Sequence, residues 1–354
     1  MKSFAVGSMV LLALGCQHFS YCGEPKKIIN IERPVNFTRI KNACYHASVL
    51  QALIAIPTWR NYIINFPPQV CGVMNYDHGI LDSFKGWIQK YSDDARKGNY
   101  RINLAMLEVC FVQNTIITGR LTDEADHFIR TLEDKFLGGI TKRQDCGLFG
   151  PMRFSLQRYE KGGLSKRGDP ESNIILWLAD FFISARHAAG VTIKDVITKE
   201  LQVGFPKKFT RIPDILCIGA YFSENYVNQD TGRLPEISAE LRVPQDWIDT
   251  SVIRYVEDIQ YRLKSVVWQG LNHLIAYVQY GDEWYMCDDL RSKCEEVTKK
   301  AYGEFAAGKL TGPMFPKLMF YERIEPVRSQ QHEVLQQASE EIYDLHASLT
   351  LLGI

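Results

Sequence analysis

Three residues far apart in this 354-residue chain have the types needed to break an acyl bond together. Cys44 sits in the segment Arg39-Ile-Lys-Asn-Ala-Cys44-Tyr-His-Ala-Ser-Val-Leu-Gln51, where Tyr45, Val49, Leu50, Leu53 and Ile54 recur at helical spacing. A thiol that opens a helix is favoured as the thiolate, the form that attacks carbonyl carbon, and an imidazolium beside it adds to that preference. His273 lies in Gly270-Leu-Asn-His273-Leu-Ile-Ala-Tyr-Val, followed by Trp284-Tyr-Met-Cys-Asp288-Asp289. An imidazole can accept the thiol proton and later pass it to a leaving amine, and a carboxylate can hold the ring in the tautomer this requires. More than 200 residues separate Cys44 from His273, which is no obstacle because such partners meet only in the fold. Taken singly, a cysteine among apolar neighbours is more often a small buried hydrophobe. A histidine between Leu271 and Leu274 is usually core, so the chemistry rests on the three residues together.

Two elements must position them. The helix expected from Ala43 onward is limited by Pro57. Residues 272–279 and 284–289 form an expected hairpin around the two-residue turn Gly281-Asp282. With Tyr280 opposite Glu283, His273 falls opposite Leu290, and alternation puts Asp288 on the histidine's face and Asp289 on the other. Asp288 is therefore the expected orienting acid. A slip of one residue would exchange the two, which keeps Asp289 as the alternative.

The wording around these residues resembles the ubiquitin-specific protease family of papain-like cysteine peptidases. That family's cysteine box reads roughly Asn-x-Gly-Asn-Thr-Cys-Tyr-x-Asn-Ser-x-Leu-Gln-x-Leu, and Asn42, Cys44, Tyr45, Ser48, Leu50, Gln51 and Leu53 fall in register with it. Its histidine box, Gly-His-Tyr-x-Ala-Tyr followed by Trp and Asp-Asp, is matched by His273, Ala276, Tyr277, Trp284, Asp288 and Asp289. Further similarities follow in the family's order. They are Asp123 to Leu132 (Ala125, Phe128 and Leu132 keeping the apolar stripe), Pro213 to Phe222, Leu241 to Pro244, Tyr261 to Val267, and Leu318 to Arg323.

The resemblance implies an α+β fold of thumb, palm and fingers over about 30–325. The thumb would occupy about 40–150 and the palm and reduced fingers about 151–325. It implies a cysteine-type deubiquitinase with Cys44, His273 and Asp288 as catalytic residues, ubiquitin and ubiquitinated proteins as partners, and Trp268, Tyr277 and Trp284 as candidates for the channel that takes the ubiquitin tail. Acidic residues would suit the arginines of that tail, and Asp123, Glu124 and Asp126 are candidates. Arg39 stands where the family places the asparagine that helps hold the oxyanion; Asn42 or the Cys44 backbone N–H are the substitutes at hand. Asn272-His273-Leu274 replaces Gly-His-Tyr, and the loop before it is shortened. These departures make weak catalysis in a ubiquitin-binding pseudo-enzyme, or action on another ubiquitin-like modifier, the alternatives to an active deubiquitinase.

Composition sets the outer bounds. At 46% hydrophobic and 12% aromatic residues the chain is expected to be globular. A formal net charge of +0 argues against a nucleic-acid partner held by phosphate neutralisation. The nine cysteines form no Cys-x-x-Cys pair, so neither a zinc site in the fingers nor a disulfide framework is expected, and no metal or cofactor is implied. Lys2 before the apolar run Phe4 to Leu14 resembles a secretory signal within residues 1–23. The expected destination is secretion or export, with a bacterial effector sent to a host cell as one form of it. Gly15-Cys16 offers lipidation at Cys16 as a variant. No transmembrane segment is expected in the mature chain. Residues 141–172 are expected to be a loop or a remnant of the fingers, and 326–354 a terminal amphipathic helix.

Overall fold

The computed structural model describes residues 27–38, 44–66, 77–114, 116, 125–137, 147–161, 165–178, 191–220, 235–253, 259–270, 273–297 and 314–324. The expected N-terminal segment and C-terminal helix lie outside these residues.

The first part is helical. A short strand β1 (Asn36–Phe37) precedes helices α1 (Cys44–Ile54), α2 (Pro57–Ile64) and α3 (His78–Arg96); β2 (Arg101–Ile102) pairs in parallel with β1, and α4 (Ala105–Gln113) and α5 (Ala125–Phe136) follow. Each helix follows from its residues. The Asp77 side chain caps α3 by accepting the Ile80 N–H at 3.0 Å, and Ile80, Leu81, Phe84, Trp87, Ile88 and Tyr91 form its buried stripe. Pro57 does stand beyond the end of α1, and it also opens α2, at the position where a missing N–H costs nothing. Arg60 reaches back from α2 to the Ile54 carbonyl at 2.5 Å, satisfying one of the orphan acceptors at the end of α1. Helix α1 is buried along its whole length from Tyr45 to Ile54, because it packs against the sheet on one side and α2 and α5 on others.

The second part is mostly strand. It comprises β3 (Phe154–Tyr159), β4 (Lys166–Asn173), β5 (Leu176–Leu178), helix α6 (Ile193–Gln202), β6 (Lys207–Arg211), β7 (Ile215–Ala220), β8 (Glu240–Arg242), β9 (Gln260–Gln269), β10 (Leu274–Tyr280), β11 (Glu283–Cys287), β12 (Glu295–Val297) and β13 (Phe315–Ile324). The main sheet runs β12-β11-β10-β9-β13-β7-β5, with β8 also on β9; β5–β7 is its parallel pair among antiparallel neighbours. Its apolar residues alternate between two cores. Ile215, Cys217, Val267, Ala276, Val278, Leu318 and Phe320 face the helical part. Leu216, Ile218, Leu263, Val266, Ile275, Met319 and Tyr321 face a second core that includes Ile193, Val196 and Ile197 of α6. The fold is thus mixed α+β, with a large sheet covered on both faces.

Where a loop or a remnant of the fingers was expected in 141–172, the described residues form strands β3 and β4, which join β6 in a three-stranded sheet. Nearly every residue of β4 is solvent-exposed, so it carries no apolar alternation for a sequence pattern to reveal. Among the described residues no helix is long and apolar enough to cross a membrane.

Candidate active site

Cys44 is the first residue of α1 and is partly exposed. The helix that carries it is pinned to the sheet from below, where the buried Ser265 hydroxyl of β9 donates to the Ala52 carbonyl at 2.9 Å. Its start lies beside the hairpins β9–β10 and β10–β11. Gly270 N–H donates to the His273 carbonyl at 2.8 Å and closes the first hairpin, which fixes the backbone of His273 one residue before β10. In the second hairpin Tyr280 pairs with Glu283 across Gly281, whose φ of 58° is a conformation that glycine adopts without cost.

His273 Nε2 lies 2.8 Å from Asp288 Oδ1, and Cys44 stands close enough to the imidazole to act on its charge. The hydrogen bond to Asp288, then the interaction with Cys44, raise the His273 pKa to about 10 against the opposing effect of burial. Burial opposes ionisation of Asp288, yet hydrogen bonds from His273 and from the Leu290 N–H (2.9 Å), with the charges of His273 and Arg291, hold its carboxyl below the usual range. The two shifts agree: near neutrality the pair is an imidazolium and a carboxylate. Asp289 does not simply point away. Its Oδ1 is 3.8 Å from His273 Nε2, because both aspartates lie past the last residue of β11, where the chain turns and strict alternation lapses. His273, Asp288 and Asp289 bring possible ligand atoms within 4.8 Å of one another, the one such cluster among the described residues. Two of its three members are engaged with each other through the 2.8 Å hydrogen bond.

What holds the acid in place has no counterpart in any sequence pattern. The buried Asn36 side chain donates from Nδ2 to the Asp288 carbonyl at 2.6 Å and to the Arg291 carbonyl at 3.0 Å. Arg101 adds a bond to the same Arg291 carbonyl at 3.0 Å. Asn36 is itself seated by the β1–β2 pair, where its N–H donates to the Tyr100 carbonyl at 3.0 Å. Asn36, Ser48, Gln51, Cys287 and Asp289 line a small cavity beneath the turn, of about 10 Å³. Gln51 acts at a distance from the thiol. Its amide donates to the Tyr91 hydroxyl at 2.8 Å, which in turn accepts the Val35 N–H at 2.8 Å and so ties α1, α3 and the approach to β1 together. No signal in the sequence marks Asn36, which stands in the short stretch Pro34-Val35-Asn36-Phe37 between charged and polar residues.

The remaining candidates separate. Trp268 and Trp284 are 5% and 7% exposed and pack in the second core; Tyr277 is half-buried, its ring 6.2 Å from that of Trp268. Asp126 lies 3.5 Å from the buried Lys317 Nζ, so its charge is already matched. Arg39, Asn42, Asp123 and Glu124 fall outside the described residues.

Comparison with known proteins bears on this geometry. Residues 35–335 match the family described as ubiquitin carboxyl-terminal hydrolase. No curated protein matches the chain significantly. Among solved structures, a chain of the SAGA Ubp8/Sgf11/Sus1/Sgf73 DUB module bound to ubiquitin aldehyde is similar with a TM-score of 0.58 at 15% identity, covering 84% of this chain and 71% of that one. The SAGA DUB module with a substituted Ubp8, bound to monoubiquitin, gives 0.53 at 14% identity, over 86% and 73%. The Saccharomyces cerevisiae apo Pan2 pseudoubiquitin hydrolase–RNA exonuclease module, in complex with AAUUAA RNA, gives 0.56 at 12% identity, over 84% and 54%. At such identities these likenesses concern the fold.

Proposed function

Because this chain belongs to the ubiquitin carboxyl-terminal hydrolase family, we propose that it is a deubiquitinating thiol isopeptidase that frees the C-terminal glycine of ubiquitin from lysine. The observation that carries this is the 2.8 Å hydrogen bond between His273 and Asp288 with Cys44 beside the same ring. In the proposed reaction the Cys44 sulfur, its proton held by His273, attacks the glycine carbonyl carbon and forms a tetrahedral oxyanion. The Cys44 backbone N–H and Asn42 are the proposed donors to that oxygen. The imidazolium then protonates the lysine amine as the C–N bond breaks, leaving a thioester on Cys44. Water, deprotonated by His273, attacks the thioester and releases the carboxylate and the thiol. Asp288 keeps one ring nitrogen engaged so that the other faces the sulfur throughout.

Ubiquitin is the proposed partner, in keeping with the ubiquitin-bound modules that share the fold. No nucleic acid is proposed, on the chain's zero net charge, although the Pan2 module is seen with RNA. Export through the N-terminal segment belongs to the same proposal. Arg39 in place of the family's asparagine favours a second reading, a weak or inactive ubiquitin binder.

Purified protein is to be treated with ubiquitin bearing a C-terminal electrophile, beside Cys44→Ala. Covalent labelling of the wild type alone is the expected outcome. Noncovalent binding without labelling would replace this proposal with the second reading, and the absence of both would exclude ubiquitin as the substrate.

A further inference from the structure

Strands β11 and β12 are antiparallel, with Trp284 opposite Val297, Tyr285 opposite Glu296 and Met286 opposite Glu295. One step further along that register sets Cys287 opposite Cys294. Residues facing each other across antiparallel strands have Cα atoms roughly 4.5–5.5 Å apart, inside the range of about 4.4–6.8 Å that a disulfide spans. Both cysteines are free thiols, and Cys294 lies near enough to help raise the pKa of the Cys287 thiol. Cys287 is buried against Gln51 of α1, while Cys294 is partly exposed. The six residues between them begin with Asp288 and Asp289. The pair therefore brackets the turn that presents the acid to His273.

We propose that Cys287 and Cys294 form a dithiol modification site, which a small-molecule disulfide converts into a cross-strand disulfide stapling the turn that bears Asp288. Exposure sets the order of events. The Cys294 thiolate attacks one sulfur of the small disulfide and expels a thiolate, giving a mixed disulfide. The Cys287 sulfur, having given its proton to solvent, then attacks the Cys294 sulfur and expels the second thiolate. Two protein thiols lose two electrons and two protons, and the small disulfide is reduced to two thiols. Burial holds the Cys287 thiol well above its ordinary pKa, so the second step is the slow one. Because the backbone spacing already suits the bond, closure fixes the turn and leaves Asp288 where it stands. The bearing on activity rests on the function proposed above; formation of the bond does not.

Full-length protein is to be incubated with oxidised glutathione, digested without reduction, and mapped by mass spectrometry, with a Cys44→Ser protein run in parallel so that oxidation at Cys44 does not contribute. The expected product joins the peptides of Cys287 and Cys294, two hydrogens lighter than their sum, and unfolds about 2–5 °C above the reduced protein. Both effects vanish in Cys294→Ala. Three outcomes would overturn the proposal: glutathione retained on Cys294 with Cys287 still open to alkylation under denaturing conditions, Cys294 joined to another cysteine, or the expected bond with a lowered unfolding temperature. None of these readouts involves ubiquitin, so failure here is distinct from failure of the isopeptidase reading.

Discussion

The charge on His273 is the property of the site most open to alteration by a single change. Its largest support is the hydrogen bond to Asp288. In Asp288→Asn the ring is expected to titrate well below the wild-type value of about 10, toward the ordinary histidine range near 6.5. Alkylation of Cys44 as a function of pH would show the alkaline limb moving down, and ubiquitin-probe labelling is expected to slow by roughly 10²–10⁴-fold. An unchanged alkaline limb would mean that Asp288 does not govern the ring. Stability follows the same pair. The raised histidine pKa contributes fully below about 6.5, and this is lost as pH rises through about 10. The lowered Asp288 pKa contributes above the ordinary carboxyl range, and this is lost as pH falls through it. The difference in unfolding temperature between wild type and Asp288→Asn should thus be widest from just above the carboxyl range to about 6.5 and narrow on either side. A gap that grows toward alkaline pH would contradict this.

At the scale of elements, the turn that presents Asp288 is clamped from the opposite end of the chain by the amide of Asn36. Asn36→Ala leaves the Asp288 and Arg291 carbonyls without that donor. It is expected to destabilise the protein by about 1–3 kcal/mol and to slow probe labelling, with the pH profile of Cys44 alkylation displaced; denaturant unfolding and the labelling assay test the two parts. A loss of stability with an unshifted profile would make Asn36 structural only. What the sequence disclosed follows the strength of local signals. The β10–β11 register was legible because a glycine turn and alternating apolar residues both define it. The start of α1 was legible from its spacing, and Cys44, His273 and Asp288 do stand together. Asn36 was not, since a two-residue strand has no period and its partners lie about 250 positions away. Strand β4 escaped notice because both its faces meet water, and the burial of Trp268 and Trp284 because an aromatic on a strand looks alike in a core and in a channel.

Over the whole molecule, β13 stands between β9 and β7, inside the sheet. Phe320 on β13 is fully buried against the helical part. Phe320→Ala is expected to lower stability by about 3–5 kcal/mol, read by denaturant unfolding, and an effect under 1 kcal/mol would mean that the core collapses around the gap. The same placement has a consequence for synthesis. Cys44 leaves the ribosome about 230 residues ahead of His273, a wait of roughly 10–45 s at ordinary rates of translation. Even then the sheet lacks an inner strand until residue 324 has emerged. Strand pairing of such long sequence separation is slow, since the loops must close before the contacts reward them. A ribosome-bound chain thus carries its thiol without a base to draw off the proton. The nucleophile of this protein is armed only by completion of the fold.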